Sequence, residues 1–303
     1  MTMTKAEIEA FLAVAQYGSI SAAAEQAYVT QPALSRRIQN LERELDYALL
    51  DRRKGVRGSS LTARGQAFLA VARRWMAVYR DAAALQGRCD RPMFRMAAIG
   101  SASRLLLPAI FRGMTEGDVP HCVNHHLCHS VEGYSLIENG SADVVLTDNV
   151  KSSAFSVGSV LSTPVYAVPF VVVGGEGWRD VRSVKPAELD PAREISLPWN
   201  TAFDIWHARW FDPGARAFAY IDDASAVKFA LRDDLFAVMP RTEGLRLARE
   251  NEGIRVLDLE DGPPDEVIHC LTSAAGNERP AVKLFFEIVR AACEASPGVR
   301  CLL

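Results

Sequence analysis

SISAAAEQAYVTQPALSRRIQNLEREL, residues 19–45, is the stretch that decides the fold of the N-terminal part. Thr30 suits a helix N-cap, because its hydroxyl can accept from a first-turn backbone N–H, and Pro32 falls where a missing donor costs little. A helix is therefore expected from about Gln31. Leu34, Ile38, Leu41 and Leu45 recur at helical spacing as one apolar stripe, with Pro32, Arg36, Gln39 and Arg43 on the opposite side. Ahead of it, Ala22, Ala23, Ala24 and Ala27 give a helix that another helix can approach closely, and Ala27, Tyr28 and Val29 make the connection. This is helix-turn-helix geometry, in which the start of the second helix enters a DNA major groove; a plain helical hairpin with a solvated charged face fits the same pattern.

The flanks favour the DNA-reading alternative. Upstream, Thr4 and Glu7 form a capping-box signature, Ile8, Phe11, Leu12 and Ala15 supply an apolar face, and Gly18 ends that helix. Downstream, residues 49–53 and 59–62 flank the basic tip Lys54-Gly55-Val56-Arg57-Gly58, which reads as a β-hairpin wing. Arg52, Arg53, Lys54 and Arg57 stand where a wing meets phosphates. Thr62 then caps a long helix without proline, running to about Gln86. Leu61, Phe68, Ala72, Trp75, Tyr79 and Ala82 advance mostly in threes and fours, as in a helix–helix seam, so Phe68, Ala72, Trp75, Tyr79 and Ala82 are expected to face a second copy.

A length of 303 residues suggests about two domains. The apolar fraction of 49% and charged fraction of 23% are those of a soluble globular protein. No apolar run approaches a membrane span and no secretory leader is evident, so a cytoplasmic location is expected. The net charge of −3 conceals an asymmetry: residues 1–88 carry 13 Lys and Arg against 8 Asp and Glu, whereas the remainder carries 21 against 29. The basic part suits phosphates and the acidic part would repel them. The six cysteines show no zinc-ribbon spacing and read as reduced thiols. No G-x-S-x-G, P-loop or G-x-G-x-x-G is present, which argues against an enzyme, and no cofactor is expected.

After a hinge at residues 87–92 the texture becomes α/β. Residues 94–99 read as a strand, 100–103 as a small-residue turn, 104–114 as a helix, 134–139 as another helix, 143–147 as a strand, and 165–173 as a strand buried on both faces.

Taken together, Phe11, Gly18-Ser19, Ala23-Ala24, Thr30-Gln31-Pro32-Ala33-Leu34-Ser35, Ile38, Leu41-Glu42, Leu45, Arg52 or Arg53, and Leu61-Thr62-Ala63-Arg64-Gly65 closely resemble the winged helix-turn-helix of LysR-type transcriptional regulators. Looser landmarks, among them Leu107-Pro108, Gly140-Ser141-Ala142-Asp143 and Ala237-Val238-Met239-Pro240, resemble that family's effector domain. The resemblance implies an α+β chain: a winged helix-turn-helix over 1–62, a dimerisation helix over 63–86, and an α/β domain over 93–303. The last would comprise two Rossmann-like lobes, like those of periplasmic binding proteins, with lobe I at about 93–163 and 268–303 and lobe II at about 164–267.

It further implies a DNA-binding regulator switched by a small-molecule effector, forming a dimer or tetramer and acting with RNA polymerase. The DNA contacts would be Ser19, Ser21, Thr30, Gln31, Pro32, Ala33, Ser35, Arg36, Arg53, Arg57 and Thr62. The effector contacts would be Ser101, Ala102, Ser103, Ser130, Asp148, Trp199, Thr201 and Phe203. Hydroxyls at a helix start suit a carboxylate, and the aromatic side chains suit a ring or belong to the core. Asp46 departs from the glycine usual in the family. An effector-independent regulator is the alternative. So is a metal or redox sensor built on HCVNHHLCH, residues 121–129, where His125, His126, Cys128 and His129 are the candidate ligands.

Overall fold

Thr4 opens α1 (Lys5–Tyr17) with both halves of the expected capping box, its hydroxyl accepting from the Glu7 N–H and its own N–H donating to the Glu7 carboxylate at 2.9 Å. Gly18 ends the helix in the left-handed region. α2 (Ile20–Gln26) starts on Ser19, whose hydroxyl accepts from the Ala22 N–H at 3.1 Å, and α3 (Gln31–Leu45) starts on Thr30. Asp46 closes α3 at φ +58°, doing without the usual glycine, and Tyr28 holds the interhelical turn at φ +52°. A two-stranded antiparallel hairpin follows, β1 (Leu50–Asp51) and β2 (Ser60–Leu61), and then α4 (Ala63–Ala84). The computed structural model describes residues 3–51, 60–84, 91–148, 160–212, 214–232, 234–274 and 276–303. The wing residues Arg52, Arg53, Lys54 and Arg57 and most of the 87–92 hinge lie outside them.

Two local devices join the helices to the hairpin. Glu42 of α3 accepts from the Leu49 and Leu50 N–H groups at 2.8 and 3.1 Å, supplying the acceptor that the start of β1 lacks. The Thr62 hydroxyl donates to the Ala48 carbonyl at 2.8 Å and accepts from the Gly65 N–H at 2.9 Å. At Gly65 a Cβ would lie 2.1 Å from the Leu49 carbonyl oxygen, so only glycine lets the first turn of α4 sit against that backbone.

The long helix departs from its expected separate role. Phe68, Ala72 and Met76 join Ile8, Phe11, Val14, Leu34, Ile38 and Leu41 in one core, and the Phe11 and Phe68 rings lie 5.3 Å apart. Phe68 and Ala72 therefore pack within the chain and are withdrawn from the predicted dimer seam, because the apolar stripe of α4 serves its own domain first. Val71, Val78, Tyr79 and Ala82 stay exposed, with Trp75 half-buried and stacked on Tyr79.

The chain divides into two compact units, residues 1–93 with 135–142, and residues 94–134 with 143–303. After α4 come β3 (Met93–Ala98), α5 (Gly100–Glu116), β4 (Cys122–Leu127), α6 (Gly133–Glu138), β5 (Val144–Thr147), β6 (Val160–Val168), β7 (Phe170–Gly174) and β8 (Ser183–Val184). They continue with β9 (Ile195–Ser196), α7 (Thr201–Trp210), β10 (Ala219–Tyr220), α8 (Val227–Ala230), β11 (Phe236–Pro240), α9 (Arg241–Glu250), β12 (Arg255–Leu259), β13 (Glu266–Ser273), α10 (Pro280–Glu294) and β14 (Arg300–Cys301).

The strands make two lobes, a six-stranded sheet in the order β14-β6-β13-β5-β3-β4 and a four-stranded sheet in the order β11-β7-β12-β8. β3 and β5 run parallel, while β13 is antiparallel to both β5 and β6. Three expectations are corrected. The run 165–173 is two strands of different sheets, broken at Pro169, which has no N–H for a ladder. The lobe crossings consequently fall at Pro169 and between Leu259 and Glu266, a few residues from the predicted limits. Residues 100–103 are the first turn of α5 rather than a loop, because small residues are tolerated where the N–H groups have no intrahelical partner.

Candidate functional site

The start of α3 is a free polar face. Gln31, Pro32, Ala33 and Arg36 are exposed, Ser35 is half-buried, and Ser21 is exposed on α2. Leu34, Ile38 and Leu41 are fully buried beneath, so the core fixes which side of α3 faces outward. Ser19 and Thr30 spend their hydroxyls on capping, the latter accepting from the Ala33 N–H at 3.4 Å. The Thr62 hydroxyl is likewise committed to Ala48 and Gly65.

A second site opens between the lobes as a cavity of about 550 Å³, lined by Ser130, Asp148, Trp199, Asn200, Thr201, Ala202, Asp204, Asp265, Val267 and His269. Four of the eight predicted effector residues, Ser130, Asp148, Trp199 and Thr201, meet here. The Ser130 hydroxyl donates to Asp148 at 2.5 Å, and burial pushes the Asp148 carboxyl above its ordinary range against that hydrogen bond. The Trp199 indole N–H donates to the Val238 carbonyl at 2.9 Å, which fixes the ring, and the Asn200 side chain caps α7 by accepting from the Phe203 N–H. His269 shares a 3.1 Å hydrogen bond with Ser162, and burial lowers its pKa, leaving it neutral near pH 7. Among the described residues the lining holds three carboxylates and neither lysine nor arginine.

The other four predicted contacts belong elsewhere. Phe203 is 3% exposed and stacks on Phe170 at 5.4 Å in the core of the four-stranded lobe. Ser101, Ala102 and Ser103 are buried in the first turn of α5, away from the cavity lining. Ser101 donates to Glu266 Oε1 at 3.3 Å, and the Ser103 hydroxyl lies 2.6 Å from His125 Nε2. The hydroxyls expected to bind a ligand carboxylate are thus taken by groups of the chain itself.

Glu266 is 1% exposed, its second oxygen has no partner, and burial, reinforced by the charge of Asp148, pushes its carboxyl up to about 8. It is protonated at neutral pH. Beside it, Arg104 of α5 clasps Glu243 of α9, donating from Nε to both carboxylate oxygens at 2.9 and 3.0 Å, and Arg246 adds a 3.0 Å contact. This clasp ties one lobe to the other near the crossing, since the neighbouring Arg241 N–H donates to the Pro169 carbonyl.

The model for bacterial regulatory helix-turn-helix proteins of the lysR family matches residues 6–66, and that for the LysR substrate binding domain matches residues 89–294. The chain belongs to the LysR family. Among curated relatives, ClcR of Pseudomonas putida is 37% identical over 111 residues, a match covering 35% of this chain and 36% of ClcR. TcbR of a Pseudomonas strain is 46% identical over 68 residues, 22% of each chain, so these matches span far less than two thirds of either relative. Solved structures share the fold along nearly the whole length. CbnR, described as a LysR family transcriptional regulator, superposes with a TM-score of 0.61 at 20% identity, covering 94% of this chain and 98% of its own. Full-length LysG from Corynebacterium glutamicum, described with arginine as bound effector, gives 0.59 at 18%, covering 96% and 99%.

In this LysR-family chain the side chains of the His/Cys segment point apart. β4 presents Cys122, Asn124 and His126 outward, while His125 turns to Ser103. Cys128 is buried, and burial pushes its thiol up to about 11, the opposite of a reactive cysteine. Among the described residues no three His, Cys, Asp or Glu side chains converge as metal ligands. Glu42, Asp204, Glu243, Asp265, Glu266 and His269 were missed by sequence reasoning. Only Glu266 leaves a signal, an acid opening the strand EVIHCLTS.

Proposed function

We propose that this LysR-family chain is a homo-oligomeric, sequence-specific transcriptional regulator in which α3 reads double-stranded DNA and a small molecule between the lobes sets the response. The exposed start of α3 over a fully buried stripe carries the first half of this reading. Arg36 can pair bidentately with guanine and Gln31 with adenine, each worth ~1–3 kcal/mol of discrimination, while Pro32, Ala33, Ser35 and Ser21 give close packing and Arg53, Arg57 and the Thr62 backbone meet phosphates. The second half concerns ligand chemistry. Asp148 and Asp204, with Asp265 paired to Arg300 at 3.0 Å, line a cavity that favours a ligand bringing positive charge or several donors, with Trp199 available to a cation through its ring face. LysG, with arginine as bound effector, is a precedent for such a ligand in this fold. This replaces the carboxylate expected from the sequence.

The exposed side of α4, with Val71, Val78 and Tyr79, supports pairing of two copies; a second contact through the effector domain would complete a tetramer, and RNA polymerase is the target of the output. No helix among the described residues is long and apolar enough to cross a membrane.

Band shifts with DNA selected from a random pool test the first half. A retarded complex should form at low salt and weaken steeply as salt rises; no complex at 50 mM salt, with or without ligands, would sink the reading. Thermal stabilisation tests the second. A ligand at ~100 times its dissociation constant adds ~2.7 kcal/mol. Amines and guanidines should supply the hits. If only carboxylates stabilise the protein the ligand class is wrong, and if nothing does the effector-independent alternative gains.

A further inference from the structure

A groove of about 680 Å³ lies against α7, bounded on its far side by the loop that joins β12 to β13. Only Ala202 of its lining also borders the inter-lobe cavity. Its floor is Trp206, 7% exposed, with its ring backed by Phe203 at 5.6 Å and Phe211 at 5.9 Å. The Trp206 indole N–H donates to the Asp261 carbonyl at 2.7 Å, which ties the loop to the helix. Asp261 holds that turn at φ +54°, a conformation few side chains adopt, so the hydrogen bond fixes the corner from which its carboxylate projects.

Ile205, 69% exposed, Trp210 and Pro264 give the groove apolar walls, while Arg209 and Asp261 bring one charge of each sign. The Arg209 guanidinium lies 6.0 Å from the centroid of the Trp210 ring, within cation–π range, and keeps its N–H donors for a carboxylate. Among the described residues neither Arg209 nor Asp261 has an ion-pair partner, and the two are not paired with each other. Opposite charges that line one apolar groove without neutralising one another match a molecule that carries both. We propose that this groove is a ligand site for a zwitterionic α-amino acid with an apolar side chain.

Each part of such a ligand has its counterpart. The carboxylate accepts from Arg209, the ammonium donates to the Asp261 carboxylate, and the side chain covers Trp206 between Ile205 and Pro264. The volume is that of a small-molecule site, which spans ~300 to ~1,000 Å³. Both charged residues are exposed, so neither ion pair holds the ligand alone; selectivity comes from meeting both charges while covering the apolar body. The inter-lobe cavity, with its acidic lining, asks for net positive charge instead. The loop at 261–264 leads into β13 at the second lobe crossing, so an amino acid in the groove would brace α7 against that crossing.

L-Phenylalanine is the probe, titrated into the full chain and followed by tryptophan fluorescence and by Tm. Saturable binding with a rise in Tm is expected. Phenylpropionate, which lacks the ammonium, phenethylamine, which lacks the carboxylate, and glycine, which lacks the apolar body, should each bind about tenfold or more weakly. Arg209→Gln should lose about tenfold or more in affinity for phenylalanine, and so should Asp261→Asn, whose side chain tolerates the positive φ. Both positions are exposed, so the fold is retained. Unchanged binding in both variants would overturn the proposal, as would phenethylamine binding as tightly as phenylalanine. Loss of binding in Asp148→Asn with retention in Arg209→Gln would overturn it by placing the amino acid in the inter-lobe cavity. Absence of saturable binding by phenylalanine and leucine alike would also overturn it; a sedimentation shift in Ile205→Ser would then assign the groove to a contact between copies.

Discussion

Two helix starts in this molecule look alike in sequence and differ in what they can do. α3 begins with Thr30-Gln31-Pro32-Ala33 and α5 with Gly100-Ser101-Ala102-Ser103, each offering hydroxyls beside unpaired N–H groups. At α3 the Gln31 and Arg36 side chains stay exposed, because the stripe below is satisfied by α1 and α4. At α5 the hydroxyls meet Glu266 and His125 inside the lobe, and nothing is left for a ligand. A helix start is a recognition site only where the fold brings no acceptor of its own to it.

The start of α4 extends the comparison to a purely structural use, and it carries the largest expected effect. Gly65→Ala places a methyl 2.1 Å from the Leu49 carbonyl oxygen, backbone against backbone, so neither side can swing away. The cost should be about 3 kcal/mol or more, read as a lowered urea midpoint of the N-terminal unit. A loss under about 1 kcal/mol would mean that α4 is not seated on the hairpin and that its start resembles α3 rather than a buried joint.

Next in size is the carboxyl that fills the start of α5. The folded protein holds the Glu266 proton more tightly than the unfolded chain, because its carboxyl is raised to about 8 from an ordinary 4.5. Its contribution to stability is therefore fully present below about pH 4.5 and is lost as pH rises towards 8. Glu266→Gln keeps the shape and the Ser101 partner without the proton. The variant should show a flatter decline of stability between pH 5 and pH 8, and should exceed the parent by roughly 1–3 kcal/mol at pH 8.5. Parallel pH profiles for the two proteins would show that Glu266 is ionised in the fold.

These two positions mark how far the sequence could be read. The capping box at Thr4 and Glu7, the stop at Gly18 and the Leu34, Ile38, Leu41 stripe are local, set by neighbours within four residues, and each is where the sequence puts it. The placements that went astray depend on partners far along the chain. Ser101 and Glu266 are 165 residues apart, Arg104 and Glu243 are 139 apart, and nothing in the local pattern of α5 announces either. The stripe on α4 was legible as apolar but not as to whose core it enters, since a seam and a buried face have the same period. Half of the cleft was found. Ser130, Asp148, Trp199 and Thr201 came from the family resemblance, and Asp148 follows a strand that the pattern also predicts, whereas Asp204, Asp265 and His269 come to the cavity through topology.

The exposed half of the comparison is sharpened by Arg36→Ala. Because the side chain is solvated, removing it should leave unfolding within about 0.5 kcal/mol of the parent. Affinity for a selected DNA site should nevertheless fall roughly tenfold to a hundredfold, as one bidentate base contact is lost, with the preference at one base pair relaxed. An equal loss on all sequences would recast Arg36 as a phosphate contact, leaving Gln31 as the reader.

Thr30→Ala should give the smallest effect and separates capping from recognition at the same helix start. Its hydroxyl accepts from the Ala33 N–H at a long 3.4 Å in an exposed position, so water can substitute for much of it. A stability loss of about 0.5 kcal/mol is expected, at the low end for a cap. DNA affinity should fall by no more than the fraying of the first turn accounts for, about twofold, because Gln31 and Arg36 stay on the exposed side that the buried stripe dictates. If instead DNA binding drops tenfold with stability unchanged, Thr30 touches DNA directly, and the start of α3 acts through its cap as well as through its side-chain face.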